Sequence, residues 1–288
     1  MKIPQENTST EKTICFKVGT DLLYGVMSLP ASPGSRGVLF IVGGPQYRAG
    51  SHRQFTLLSR DLALNGFSAM RFDYRGMGDS EGDACDFLNI HDDIKSAINS
   101  FFLHNPHLSE IVLWGLCDGA SAAMLYASGD TRVKGMVLIN PWVRTEAGSA
   151  KAHLKHYYKD RLTDPLLWKK ILHGQYSYRA TAKSLLSQLS QILKTDKASG
   201  ETAQQVHLPD QILTAMQQFT GKTLIILSEN DLTAREFADV LQGSKAWKNL
   251  SKSPQFRVHE LKNANHTFSQ RVWRNQVASW TDEWLKSW

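Results

Sequence analysis

Ile111-Val112-Leu113-Trp114-Gly115-Leu116-Cys117-Asp118-Gly119-Ala120 decides how this chain is read. An apolar, β-branched run ends in Gly-x-Cys-x-Gly and passes at once into the Ala- and Ser-rich segment 119–128, which has helical character. A strand-to-helix turn this tight needs residues without side chains two places before and two after its tip, because a Cβ there would collide with the crossing backbone. Gly115 and Gly119 meet that need. The spacing predicts a nucleophile elbow carrying sulfur instead of oxygen. The competing reading, a small buried core cysteine, has no use for the flanking glycines.

Outward from the elbow, short continuously apolar runs recur at 37–42, 67–72, 111–113, 135–139, 223–227 and 256–261, as expected of strands covered on both faces of a parallel sheet. Helix-patterned segments lie at 54–65, 88–103, 119–128, 234–250 and 270–286. Strand and helix therefore alternate, and the expected class is α/β, a mostly parallel doubly wound sheet of about eight strands. An opening hairpin is expected from 13–18 and 22–29, joined by Gly19-Thr20-Asp21. The rhythm breaks after Asn140-Pro141, where about 70 residues contain helical stretches and no strand-like run. The expected organisation is a core of 1–140 and 211–288 with a helical cap inserted at 141–210. Trp273, Trp280, Trp284 and Trp288 fall on one face of the last helix, either packed on the sheet or, for Trp288, turned to a partner.

With 288 residues and 42% apolar content the chain can bury a substantial core. It has no long apolar run of membrane-spanning length, and its start lacks the apolar stretch of a secretion signal, so a cytoplasmic protein is expected. Three widely spaced cysteines (Cys15, Cys85, Cys117) argue against a disulfide framework and against a structural metal. The net charge of +6 comes mostly from 141–210, which holds 11 Lys and Arg against 6 Asp and Glu. The chain's charge is dispersed and no basic tract of it carries interleaved aromatics, so no nucleic-acid partner is expected. A small-molecule or acyl-carrier substrate is expected, with no cofactor; oligomeric state stays open.

A thiol attacks acyl carbon as the thiolate, and so needs a base or a favourable field. The N-terminus of the helix after Cys117 offers the field. The base belongs in the loop after the last strand, where Asn263-Ala264-Asn265-His266 places His266. A carboxylate must fix the imidazole tautomer, and Asp231, on the loop after 223–227, is the candidate, with Glu229 as rival and helix capping as its alternative role. Two backbone N–H groups must meet the developing oxyanion: that of Asp118 and, from Val42-Gly43-Gly44-Pro45-Gln46, that of Gly44, with Gln46 as alternative because Pro45 has no N–H.

These residues resemble the α/β-hydrolase superfamily over nearly the whole chain. Gly43-Gly44-Pro45 is similar to the His-Gly-Gly-Pro oxyanion loop of peptidase-like members, with Val42 in place of His. The stretch 73–82, Asp-Tyr-Arg-Gly-Met-Gly-Asp-Ser-Glu-Gly, is close to the superfamily's D-x-R-G-x-G-x-S loop, which organises the active-site rim, and the insertion resembles the superfamily's lid. Cysteine at the elbow resembles the dienelactone hydrolases, and the wider text resembles hydrolases encoded beside bacterial exosortase and exopolysaccharide systems. The resemblance implies a link to envelope polysaccharide or protein sorting.

Three functions follow as expectations. The first is hydrolysis of an acyl ester, lactone or thioester through an acyl-cysteine, by Cys117, His266 and Asp231 with the amides of Gly44 and Asp118. The second is acyl transfer to a sugar or carrier, motivated by the basic cap. The third is a noncatalytic scaffold that keeps the fold without turnover.

Overall fold

The computed structural model describes residues 9–44, 46–143 and 207–288. Among these residues eight strands form one sheet: β1 (Ser9–Val18), β2 (Asp21–Pro30), β3 (Arg36–Ile41), β4 (Ser68–Phe72), β5 (Glu110–Leu116), β6 (Val133–Ile139), β7 (Lys222–Ser228) and β8 (Phe256–Leu261). Their order is β1-β2-β4-β3-β5-β6-β7-β8. β1 and β2 form the expected hairpin around Gly19 (φ 59°), β2 runs antiparallel to β4, and every later pairing is parallel. The chain leaves β3 toward β4 on one side and returns to β5 on the other. Such a reversal opens a crevice at the carboxyl ends of the two central strands, and both the elbow and the glycine loop follow from those ends.

The helices among the described residues are α1 (Gln54–Leu64), α2 (His91–His104), α3 (Asp118–Ala127), α4 (Leu208–Gln218), α5 (Leu232–Gly243), α6 (Lys245–Ser251) and α7 (Arg271–Lys286). The period-2 alternation of β5 sends Val112, Trp114 and Leu116 to one face, where they join Phe55, Leu58 and Leu62 of α1 and Val277, Trp284 and Leu285 of α7 in one buried cluster. Phe40, Phe55 and Trp114 meet there with ring centroids 5.1 to 5.9 Å apart. α2 covers the opposite face, where Phe101 and Ile111 close over Gly37. The tryptophans of α7 pack on the sheet: Trp284 is buried, while Trp273, Trp280 and Trp288 are partly buried against the same cluster.

The structure departs from the sequence expectations in two places. The single helix expected at 234–250 is two, because Ser244 is extended (φ −136°, ψ 160°) and its hydroxyl accepts the Trp247 amide, capping α6. β8, expected to be covered on both faces, is the sheet's edge, and Arg257 and Glu260 along it are exposed. Such charges keep an edge strand from pairing with other chains. The cap expected at 141–210 lies, apart from 141–143 and 207–210, outside the described residues. No helix among the described residues is long and apolar enough to cross a membrane.

Candidate active site

Cys117 stands between β5 and α3 with φ 60° and ψ −125°, a left-handed conformation that strains any residue with a side chain. Hydrogen bonds on both sides hold it there. Its amide donates to Ile139 O at 2.9 Å, and its carbonyl accepts from the amides of Ala120 (3.0 Å), Ser121 (3.3 Å) and Trp142 (3.2 Å). The flanking glycines are steric necessities: a Cβ on Gly115 would lie 2.5 Å from the Gly119 carbonyl, and one on Gly119 would lie 2.5 Å from Ile41 O. The thiol is half-buried and free of any disulfide. Ser121, four residues on, is fully buried and its hydroxyl donates to Trp142 O, whereas the Cys117 thiol is partly exposed.

His266 lies on the loop between β8 and α7, and its Nδ1 is 2.8 Å from Oδ2 of Asp231. Asp231 begins α5, and its two oxygens also accept the amides of Thr233 (3.3 Å) and Ala234 (3.1 Å). Both roles raised for Asp231, imidazole partner and helix cap, are therefore filled by one carboxylate. Glu229 faces elsewhere: its Oε2 accepts the Asn263 amide at 2.7 Å and so ties the β7 loop to the histidine loop. The His266 ring is pushed up to about 10 from its ordinary value, first by its hydrogen bond to Asp231, then by one to Cys117, with the charges of both adding and burial opposing. The site thus favours the imidazolium and places it beside the sulfur.

Two residues that carry no catalytic signature in the sequence hold this geometry. Asn140, fully buried in a left-handed conformation (φ 44°) after β6, donates from Nδ2 to Ser228 Oγ (2.9 Å) and to the His266 carbonyl (3.1 Å), while its Oδ1 accepts the Ser228 amide (2.8 Å). Ser228 Oγ donates in turn to Asn265 O at 3.1 Å. A short polar network thereby fixes the backbone on which the imidazole rides. The only sequence trace of it is polar residues at the ends of two otherwise apolar strands.

The glycine loop lies directly against the elbow. A Cβ on Gly43 would collide with the Asp118 carboxylate and with Leu116 O, whereas Gly44 has open space around it but a φ of 58°. The Gln46 amide donates to Gly44 O at 2.7 Å, whereas the Gly44 amide is turned toward the Asp118 side chain at the elbow. Just beyond, Arg48 anchors the loop to the rim. Its amide donates to Asp73 Oδ1 (2.7 Å), and its guanidinium pairs with buried Asp73 and with Asp79. The rim motif has a physical basis here: Gly78 leaves room for the Asp73 carboxylate, Ser80 Oγ donates to Asp73 O at 2.7 Å, and Arg75 pairs with buried Asp93 at 2.8 Å. No group of three or more His, Cys, Asp and Glu among the described residues is placed to hold a metal ion.

The fold agrees with comparisons to known proteins. The chain is similar over its whole length to the Pyrococcus furiosus esterase Pf2001, with a TM-score of 0.65, 16% identity and 96% of that chain covered. It is similar to the dienelactone hydrolase from Anabaena variabilis, with a TM-score of 0.61, 16% identity, and 97% of this chain and 98% of that one covered. It is also similar to the α/β hydrolase GrgF from Penicillium sp., with a TM-score of 0.61, 15% identity, and 96% and 97% covered. No curated protein sequence matches the chain. Residues 34–269, most of the chain, match the family described as serine aminopeptidase, S33. The chain is a hydrolase of the α/β-hydrolase fold and belongs to the serine aminopeptidase S33 family, with cysteine at the elbow that the family's name assigns to serine.

Proposed function

We propose that the protein hydrolyses an acyl ester, lactone or thioester through a covalent acyl-cysteine formed on Cys117. The observation that carries this reading is the 2.8 Å hydrogen bond from the His266 imidazole to Asp231, in a site where Cys117, on a strained, glycine-flanked elbow, also favours the charged ring. Cys117 reacts as the thiolate of an ion pair with His266. The sulfur forms a bond to the acyl carbon, and the carbonyl π pair moves onto oxygen, where the Gly44 and Asp118 amides receive it. Collapse of this intermediate breaks the bond to the leaving group, which takes a proton from His266. Water then loses a proton to His266, adds to the thioester carbon, and releases the acid and the regenerated thiolate.

Thiolate leaves a tetrahedral intermediate readily, so the chemistry suits activated acyl groups more than stable amides. The link to envelope polysaccharide or exosortase systems rests on sequence likeness alone. The test is an activity screen of acyl esters, lactones and acyl thioesters with wild type and Cys117→Ala. Turnover of at least one class by wild type and its loss in the variant is expected; turnover that survives Cys117→Ala excludes the reading.

A further inference from the structure

The side chain immediately after the nucleophile is wedged between the elbow and the glycine loop. Oδ1 of Asp118 accepts the Gly119 amide at 3.0 Å, and the amides of Gly44 and of Asp118 itself face the same carboxylate. The absent side chain of Gly43 makes the room: its Cβ would fall on that same oxygen. Burial raises the carboxyl above its ordinary range, and the three amides and the charge of His266 work against that rise.

Two of these donors, the amides of Gly44 and Asp118, are the pair that the proposed acylation step requires for its oxyanion. A carboxylate oxygen closely imitates a tetrahedral oxyanion, since both are anionic oxygens that accept two or more N–H groups at about 2.7–3.1 Å. We propose that the Asp118 carboxylate is a resident competitor for the oxyanion-hole amides, which the acyl oxygen of the substrate must displace before Cys117 attacks. Asp118 thereby sets specificity. An acyl oxygen enters only by exchanging places with a charged, three-donor acceptor, and an acyl group with its own anion next to the carbonyl is repelled by the displaced carboxylate. This inference rests on the reading of Cys117 as the acylated nucleophile.

The test measures single-turnover acylation by p-nitrophenyl butyrate, and inhibition by butyrate, in wild type, Asp118→Ala and Asp118→Asn. Removing one charge-assisted acceptor is expected to speed acylation about tenfold in Asp118→Ala and less in Asp118→Asn, whose amide still occupies the donors. Butyrate, whose carboxylate takes the vacated place, is expected to inhibit Asp118→Ala at about tenfold lower concentration. A purely structural role moves both readouts the other way, and acylation that is unchanged or slower with butyrate no tighter overturns the inference. If Asp118→Ala does not fold, the Asn variant decides by the same signs. If wild type itself forms no acyl-enzyme, the reading of Cys117 fails separately. Calorimetric titration of butyrate into Cys117→Ala, with and without Asp118→Asn, then decides whether the carboxylate competes for the amides.

Discussion

Oδ2 of Asp231 serves two donors at once, Nδ1 of His266 at 2.8 Å and the amide of Ala234 at 3.1 Å. The start of α5 and the orientation of the imidazole are thus set by one oxygen. Asp231→Asn separates the two duties. Asparagine caps a helix as well as aspartate does, so losing the cap charge alone should cost only a few tenths of a kcal/mol, and any larger loss at neutral pH reports the missing ion partner of His266. Activity is expected to fall by roughly 10³- to 10⁴-fold, because the amide neither holds the tautomer nor stabilises the imidazolium. Steady-state kinetics beside urea unfolding checks this. Glu229→Gln, which leaves the partner of His266 in place, is expected to cost far less activity.

The ionisation of His266 gives a prediction with a definite sign. Its protonated form is favoured by the fold, with the ring raised from 6.5 to about 10. The resulting stabilisation is complete below pH 6.5 and is lost as the pH rises through about 10. NMR titration of the ring should therefore show an imidazolium that persists above about pH 8, well beyond the ordinary histidine range. In Asp231→Asn the midpoint should move down. Urea unfolding of wild type should lose stability between about pH 7 and pH 10 relative to His266→Gln.

Asn140 has no contact with substrate in this account, yet its removal is expected to be costly. Asn140→Ala leaves the buried Ser228 amide and the His266 carbonyl without their Asn140 partner, and about 1–3 kcal/mol of stability should be lost for each such group left unpaired. Because the loop bearing His266 loosens, kcat is expected to fall more than KM rises. Thermal melting and steady-state kinetics on the same preparation test both.

Gly43 and Gly44 are adjacent and should respond oppositely to alanine. Gly43→Ala forces its methyl into the Asp118 carboxylate and Leu116 O, so the loop must move off the elbow and activity should collapse. Gly44→Ala meets open space and bears only the strain of φ 58°, about 1–2 kcal/mol of stability. Parallel melting and activity measurements distinguish the two.

The elbow was legible from sequence because sterics leave few options: Gly115 and Gly119 are forced by the crossing of β5 and α3, and a forced glycine leaves a trace in the text. The meeting of His266 and Asp231 was legible from chain order, since the loops after β7 and β8 open at the same end of a parallel sheet. Asn140 and Ser228 were not, because a polar residue at a strand end also suits an ordinary turn, and only tertiary contact shows which backbone atoms it satisfies. The direction of the Asp118 side chain was equally silent, since it depends on the approach of Gly43 from a strand about 70 residues earlier. The break at Ser244 was hidden because apolar spacing continues across it while the backbone does not.

The central claim is tested most directly by incubating the protein with an acyl thioester or p-nitrophenyl ester, quenching in acid within the first turnover, and locating the acyl mass by peptide mapping. An acyl group on the peptide containing Cys117, absent from Cys117→Ala and formed more slowly in His266→Gln because the thiolate has lost its partner, is the predicted result. Turnover with no acyl mass on Cys117, or labelling of Cys117 no faster than of Cys15 and Cys85, would contradict it.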